Sequence, residues 1–390
     1  MAFLPRPTFL PQATTSSGPS HAGARLLALA GITINGKQPW DIWVHHPHTL
    51  DRVLSQGSLG LGESYVDGWW DCDAIDQFIH RVLDARLEER VTSPGLRLGL
   101  LRARLLNRQS TRRAWQVGRD HYDLGNPLFE AMLDSRMAYS CGYWSGGATD
   151  LESAQEAKLD LVCRKLGLRP GMRLLDIGCG WGSLMRHAAE RYGVSCVGLT
   201  VSAEQARWGE QHLAGLPVTF HLADYRSFPT RPSEKFDRVA SIGMFEHVGR
   251  RNYRDYFSVA ARALKDDGLF LLHTIGRNAR GGRTDPWVDR YIFPNGELPS
   301  ASELAESAER NFVIEDWHSF GADYDRTLLA WHTRFEAAWP ALASDYSPRF
   351  RRLWRYYLLA CAGSFRARAN QLWQVVLSPR GVPGGYRRPA

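Results

Sequence analysis

A chain of 390 residues that is 44% hydrophobic and 23% charged describes a soluble globular protein, long enough for a full core and more than one folding unit. No uncharged apolar run is long enough to span a bilayer, and the opening MAFLPRPTFLPQATTSSGPSHAGA breaks its few apolar residues with prolines, unlike a secretory signal. The net charge is +7, and the six cysteines form no CxxC pair, which argues against a disulfide framework or structural zinc and for a reducing cytoplasm.

Residues 1–22 read as a flexible tail rich in Pro, Ser, Thr, Gly and Ala. Residues 23–95 predict a small amino-terminal domain. In it ARLLALAGI has helical periodicity, DIWVHH is β-like, GSLGLGESYVDGWW reads as turns carrying aromatic anchors, and IDQFIHRVLDARL is an amphipathic helix. Residues 96–119 form a basic linker. From Arg90 to Arg119 there are eight arginines and no acid, and from Arg349 to the end nine arginines and no acid. With +17 in these two stretches, the remainder carries about −10. They are either solvated helix faces or surfaces for an anionic partner, phospholipid or nucleic acid. Apolar residues between the cations (LRLGLLRARLL, RFRRLWRYYLL) suit a membrane interface, and no zinc-finger or RNA-recognition signature points to nucleic acid.

Residues 120–390 alternate between strand and helix patterns. RLLDI, SCVGLT, PVTFHL, FDRVASI and GLFLLHTI read as strands, with helices at WGSLMRHAAERY, AEQARWGEQHL and RDYFSVAARAL. NFVIEDWHSF and QLWQVVL add strands around two helices at about 323–341 and 348–369. Such alternation predicts a Rossmann-like, doubly wound, mostly parallel sheet covered on both faces.

The strongest motif is LLDIGCGWGSL, a strand ending in Asp176 followed by Gly178, Gly180 and Gly182 before a helix. Glycines there let a ligand approach the backbone at the carboxyl end of the first strand. The second strand ends in GLTVS, without the acid that a nicotinamide site usually places there. The loop resembles the S-adenosylmethionine loop of class I methyltransferases. Thr200 and Gln205 are then candidate ribose contacts, and Asp224, after the third strand, a candidate adenine contact.

Together, QGSLGLGESYVDGWW (56–70), HYDLGNPLF (121–129), YSCGYW (139–144), LLDIGCGWG (174–182), GMFEHVG (243–249), LLHTIG (271–276), YIFPNGELPS (291–300), DWHSFGADYDRTLLAW (316–331) and CAGSFRARANQLWQVV (361–376) resemble the cyclopropane-fatty-acyl-phospholipid synthases, relatives of the mycolic acid cyclopropane synthases. The resemblance covers nearly the whole chain after the tail. It implies methylene transfer from S-adenosylmethionine to the cis double bond of an unsaturated phospholipid acyl chain, through a carbocation that loses a proton to bound bicarbonate. By the same resemblance Cys141, Glu246, His273, the backbone at Ile275 and Tyr324 hold that ion, with Glu246 and His273 just past the ends of the fourth and fifth strands. Tyr139 and Ser140 lie against the methionine part of the cofactor, and Tyr139, Tyr143 and Trp144 face cationic charge with their rings. The resemblance further implies a homodimer, with the amino-terminal domain handling lipid or joining subunits. A cytoplasmic enzyme bound peripherally to the inner membrane surface follows.

Each of these residues also has a structural reading: Cys141 as a buried small hydrophobe, His273 as a strand-end histidine, Glu246 as a helix-starting acid and Tyr324 as a core aromatic. His247 has no role in this scheme. The competing functions are a lipid methyltransferase making a methyl- or methylene-branched chain, a small-amine N-methyltransferase, and a binder without catalysis.

Overall fold

The computed structural model describes residues 19–87, 125–228, 234–281 and 284–389. After two short strands, β1 (Trp43–Val44) and β2 (Trp70–Asp71), seven strands form its main sheet: β3 (Arg173–Ile177), β4 (Ser195–Thr200), β5 (Val218–Leu222), β6 (Phe236–Ile242), β7 (Leu264–Arg277), β8 (Val313–Ser319) and β9 (Asn370–Ser378). Their spatial order is β5-β4-β3-β6-β7-β9-β8. The first five are parallel, while β9 runs antiparallel to both β7 and β8. Central strands bury both faces and so read as continuous apolar runs. In β3, Leu174, Leu175 and Ile177 are all buried. Chain order reverses between β3 and β6, which opens a crevice at their carboxyl ends.

Helices cover the sheet. Leu151–Lys165 (αA), a helix that the sequence reading did not name, starts with a capping box between Asp150 and Ser153. Ser183–Tyr192 follows the glycine loop, and Ala203–His212 is capped by Ser202. Two long helices, Ala322–Leu342 (αB) and Pro348–Arg366 (αC), pack against each other, and αC packs against the amino-terminal segment.

That segment differs from its reading in two respects. GSLGLGES does not form turns: Ser58–Val66 is a helix. Its glycines serve close packing, because a side chain at Gly60 would strike the Arg52 carbonyl and one at Gly62 the Trp287 indole. Nor is its core separate. Ile32, Trp70, Ile75 and Phe78 share one buried cluster with Trp331, Trp354 and Leu358 of αB and αC. Among the described residues its strands are β1 and β2, paired antiparallel. The expected domain boundaries near 95 and 119, most of the tail and the whole 96–119 linker lie outside the described residues.

Seven of the nine carboxyl-terminal arginines pair with acids. Arg349 pairs with Asp67, Arg352 with Asp71, and Arg366 with both Asp76 and Asp325. Arg351 and Arg355 pair with Glu336, Arg380 with Asp266 and Arg388 with Asp316. Spacing along one chain cannot show this, since the partners lie up to 290 residues away, as for Arg366 and Asp76.

Candidate active site

A cleft of about 950 Å³ opens at the crevice between β3 and β6. Its lining includes Tyr139, Ser140, Asp176, Gly178, Gly180, Thr200, Gln205 and Asp224, so most of the residues read as cofactor contacts meet in one cavity. Gly178 has φ +85° and no room for a side chain, since a Cβ would sit 2.6 Å from that of Met244. Gly182 is not among the lining residues. It caps the following helix against Phe220 and Leu213, so it is a packing glycine. Thr200 donates to Gln205 Oε1 at 3.0 Å, and Arg226 forks onto Asp224 at 2.8 and 2.7 Å. His247, which had no assigned role, also lines the cleft.

Beside the cleft, Cys141 and Tyr324 gather with Ile275, Phe320 and Leu372 in a small apolar cluster. Cys141 is fully buried, and burial pushes its thiol well above the usual range. The thiol form is therefore favoured, with its proton toward the Gly142 carbonyl at 3.1 Å, a poor setting for a nucleophile. Glu246 sits in the turn Phe245–His247 after β6, and its Oε1 accepts from the Ile275 amide at 2.6 Å. Burial raises its carboxyl to about 7.

His273 lies within β7 rather than past its end, because that strand runs on to Arg277 and pairs His273 with Ile242. Gln374 Nε2 donates to His273 Nδ1 at 3.2 Å, which leaves the ring proton on Nε2. Burial, with the positive charges of Lys158 and Lys165, holds the imidazole neutral. Glu246 Oε2 and His273 Nε2 are both buried and find no partner among the described residues. One acceptor and one donor are thus left open, the acceptor on the carboxylate that holds the Ile275 amide and the donor two residues earlier on the same strand.

The rings of YSCGYW take three different settings. Tyr139 lines the cleft, its hydroxyl 2.9 Å from that of Tyr357. Tyr143 packs edge-on against Phe320. Trp144 turns away: its indole donates to Thr327 at 2.9 Å, and Arg326 lies over its face at 4.4 Å. Its cation is therefore a protein side chain.

Sequence reading missed the residues that hold this segment. Asp323 and Thr327 of αB grip residues 142–145, and Gln155 of αA donates to the Ser140 carbonyl at 2.7 Å. Lys158, buried among the lining residues, donates to Ser140 Oγ at 2.8 Å. Only the uninterrupted polar positions on an otherwise apolar helix face hinted at them.

A mycolic acid cyclopropane synthase solved with SAH and CTAB matches at a TM-score of 0.61 and 36% identity, over 68% of this chain and 98% of that one. A cyclopropane synthase from Mycobacterium tuberculosis also matches at 0.61, with 34% identity over 69% and 99% of the two chains. Sheet order, glycine loop and cleft define a class I S-adenosylmethionine-dependent methyltransferase. The chain is 56% identical to a cyclopropane-fatty-acyl-phospholipid synthase of Escherichia coli over 363 residues, 93% of this chain and 94% of that protein. Residues 109–375 match the mycolic acid cyclopropane synthetase family, and the chain belongs to it.

Proposed function

We propose that this enzyme moves a methylene unit from S-adenosylmethionine to the cis double bond of an unsaturated phospholipid acyl chain, making a cyclopropane ring. The π electrons attack the sulfonium methyl and the C–S bond breaks toward sulfur. The resulting cation loses a proton from the new methyl group, and the ring closes. The observation that carries this reading is that Glu246 Oε2 and His273 Nε2 are both buried and without a partner among the described residues.

That pair fits a bicarbonate ion, which offers one O–H donor and several acceptors. A bound bicarbonate would supply a proton acceptor in a pocket otherwise too dry for one. In this reading His273 Nε2–H holds an anionic oxygen, Glu246 takes the ion's own proton, and the Ile275 amide fixes Glu246. Cys141 and Tyr324 close the cage, and the surrounding apolar cluster excludes water.

Product analysis tests the reading. Purified protein is incubated with S-adenosylmethionine and vesicles of a cis-monounsaturated phospholipid, and the fatty acids are examined by mass spectrometry before and after ozonolysis. A gain of one CH2 resistant to ozone is expected. An ozone-cleavable gain identifies a branching lipid methyltransferase, and no gain despite cofactor binding returns the small-amine reading.

We also take the enzyme to work as a cytoplasmic homodimer on an anionic membrane surface, with the amino-terminal segment handling lipid or joining subunits. With most of the carboxyl-terminal arginines paired to acids, the docking charge in this reading rests mainly on the 90–119 stretch. The same assay on anionic vesicles should weaken as salt rises; turnover indifferent to salt and headgroup charge would remove that part, and a monomer mass by ultracentrifugation would remove the dimer.

Cofactor affinity should also depend on pH. Burial holds the Asp176 carboxyl up at about 7, only partly offset by Lys158. A cofactor ammonium beside it favours the ionised form, so binding below that pH releases a proton. Affinity then falls by up to about tenfold per unit as pH drops below 7. Calorimetry in buffers of different ionisation heat measures the proton; uptake in place of release would take Asp176 out of the cofactor site.

A further inference from the structure

Gln374 is an odd residue for the middle of a sheet. It is 0% exposed, and its strand neighbours Trp373, Val375 and Val376 are buried and apolar. A buried amide costs free energy wherever its donors or its acceptor go unbonded, and a leucine would fill β9 without that cost. In register, Gln374 lies opposite His273 on β7 and opposite His318 on β8. Directly paired residues share one face of a sheet, so His273, Gln374 and His318 form a polar row across three strands.

The row has a direction. Beside it lies Lys165, the last residue of αA, whose side chain is buried and whose Nζ is 2.9 Å from His318 Nδ1. As an ammonium, with Asp316 3.8 Å away, Lys165 can only donate, so His318 Nδ1 accepts. Burial and the charges of Lys165 and Arg388 hold the His318 ring neutral, which leaves its proton on Nε2. Gln374 turns its donor end to His273 Nδ1, and its Oε1 has no partner among the described residues. A positive charge and a ring N–H on the β8 side favour a carbonyl oxygen there over an NH2 group. At the far end the open group is His273 Nε2–H, a donor.

The amide is the one member that could reverse. With its ends exchanged, Oε1 would draw the ring proton of His273 onto Nδ1, and Nε2 would become an acceptor. Glu246 Oε2 and His273 Nε2 would then both be acceptors, and His273 would have no donor left for an anion. We propose that Gln374 is a positioning residue for the reaction: it fixes His273 in the Nε2–H tautomer, and the Lys165–His318 pair keeps the amide from turning over. This rests on the reading of Glu246 and His273 as holders of bicarbonate.

Two measurements on the full chain test it. The first is nitrogen NMR of protein carrying nitrogen-15 histidine, in which His273 is identified by the signals that His273→Ala removes. The unaltered protein should show a protonated Nε2 and a bare Nδ1. Gln374→Leu should let the proton divide between the two nitrogens, moving both signals toward each other. A proton on Nδ1 in the unaltered protein, or unchanged His273 signals in Gln374→Leu, would overturn the proposal.

The second is turnover against added bicarbonate in buffer freed of carbon dioxide. Gln374→Leu should raise the half-saturating bicarbonate about tenfold, the value of one hydrogen bond, while the cofactor KM changes less than about threefold. Lys165→Met, at a residue that does not line the cleft, should shift the curve in the same direction by less. Lost turnover with an unmoved bicarbonate curve would mean that Gln374 supports only the fold, and the proposal would fall. Turnover of the unaltered protein that ignores bicarbonate would remove the cage reading instead, and the nitrogen signals would still decide whether Gln374 sets the tautomer.

Discussion

Glu246→Gln and His273→Ala should each lower turnover by about a thousandfold or more, within the range that a positioned proton acceptor supplies, while S-adenosylhomocysteine binding changes less than about threefold. Neither residue is among those lining the cofactor cleft, so the ligand should not sense the change. The stability side is also specific. Burial raises the folded-state pKa of Glu246 from 4.5 to about 7, so the ionised carboxylate destabilises the fold increasingly as pH rises between those values. Gln carries no charge and still offers Oε1 to the Ile275 amide. Glu246→Gln should therefore melt at the same temperature or higher at pH 8, a gain in stability at the expense of function. Parallel loss of cofactor binding and turnover would show that Glu246 serves the cleft instead, and the cage reading would fall.

What the sequence revealed depended on whether the partners were local. The glycine loop could be read directly because the strand, the turn and the helix start are contiguous, and Gly178 declares its positive φ by residue type. The apolar runs of β3 and β7 likewise announce buried strands. Glu246 and His273 are 27 positions apart, and motif order alone brought them together; the structure does so through the register of Ile242 against His273 and the Gly243 amide bonded to the His273 carbonyl. By contrast, Gly60 and Gly62 resemble turn residues, and only the distant Trp287 explains why a helix needs glycine there. The arginines of αC look like a basic face until the acids of the amino-terminal segment are laid against them. Trp144 was expected to face a substrate cation because Arg326, 182 positions away, could not be placed beside it.

Asp323→Ala should reduce both stability and activity, for a reason visible only in three dimensions. Asp323 Oδ2 accepts from the Trp144 and Ser145 amides at 2.6 and 2.8 Å, and Oδ1 from the Ser145 hydroxyl at 2.6 Å. One turn on, Thr327 Oγ1 accepts from the Gly142 amide at 3.0 Å. αB thus anchors the segment carrying Ser140 and Cys141 while presenting Tyr324 between its two anchors. Removing the carboxylate leaves two backbone donors without an acceptor, at a cost of roughly 2–5 kcal/mol. The loosened segment would misplace cleft and cage together, so kcat should fall about a hundredfold and the cofactor KM should rise, as misplacement by an ångström can cost that much. Asp323→Asn, which keeps one acceptor oxygen, should fall between. Denaturant midpoints and steady-state kinetics measure the two effects. A variant that is less stable yet fully active would show that αB supports the fold without setting the geometry of the site. Loss of kcat at unchanged cofactor KM would restrict its influence to the cage, because Tyr139 and Ser140 would then hold their positions without it.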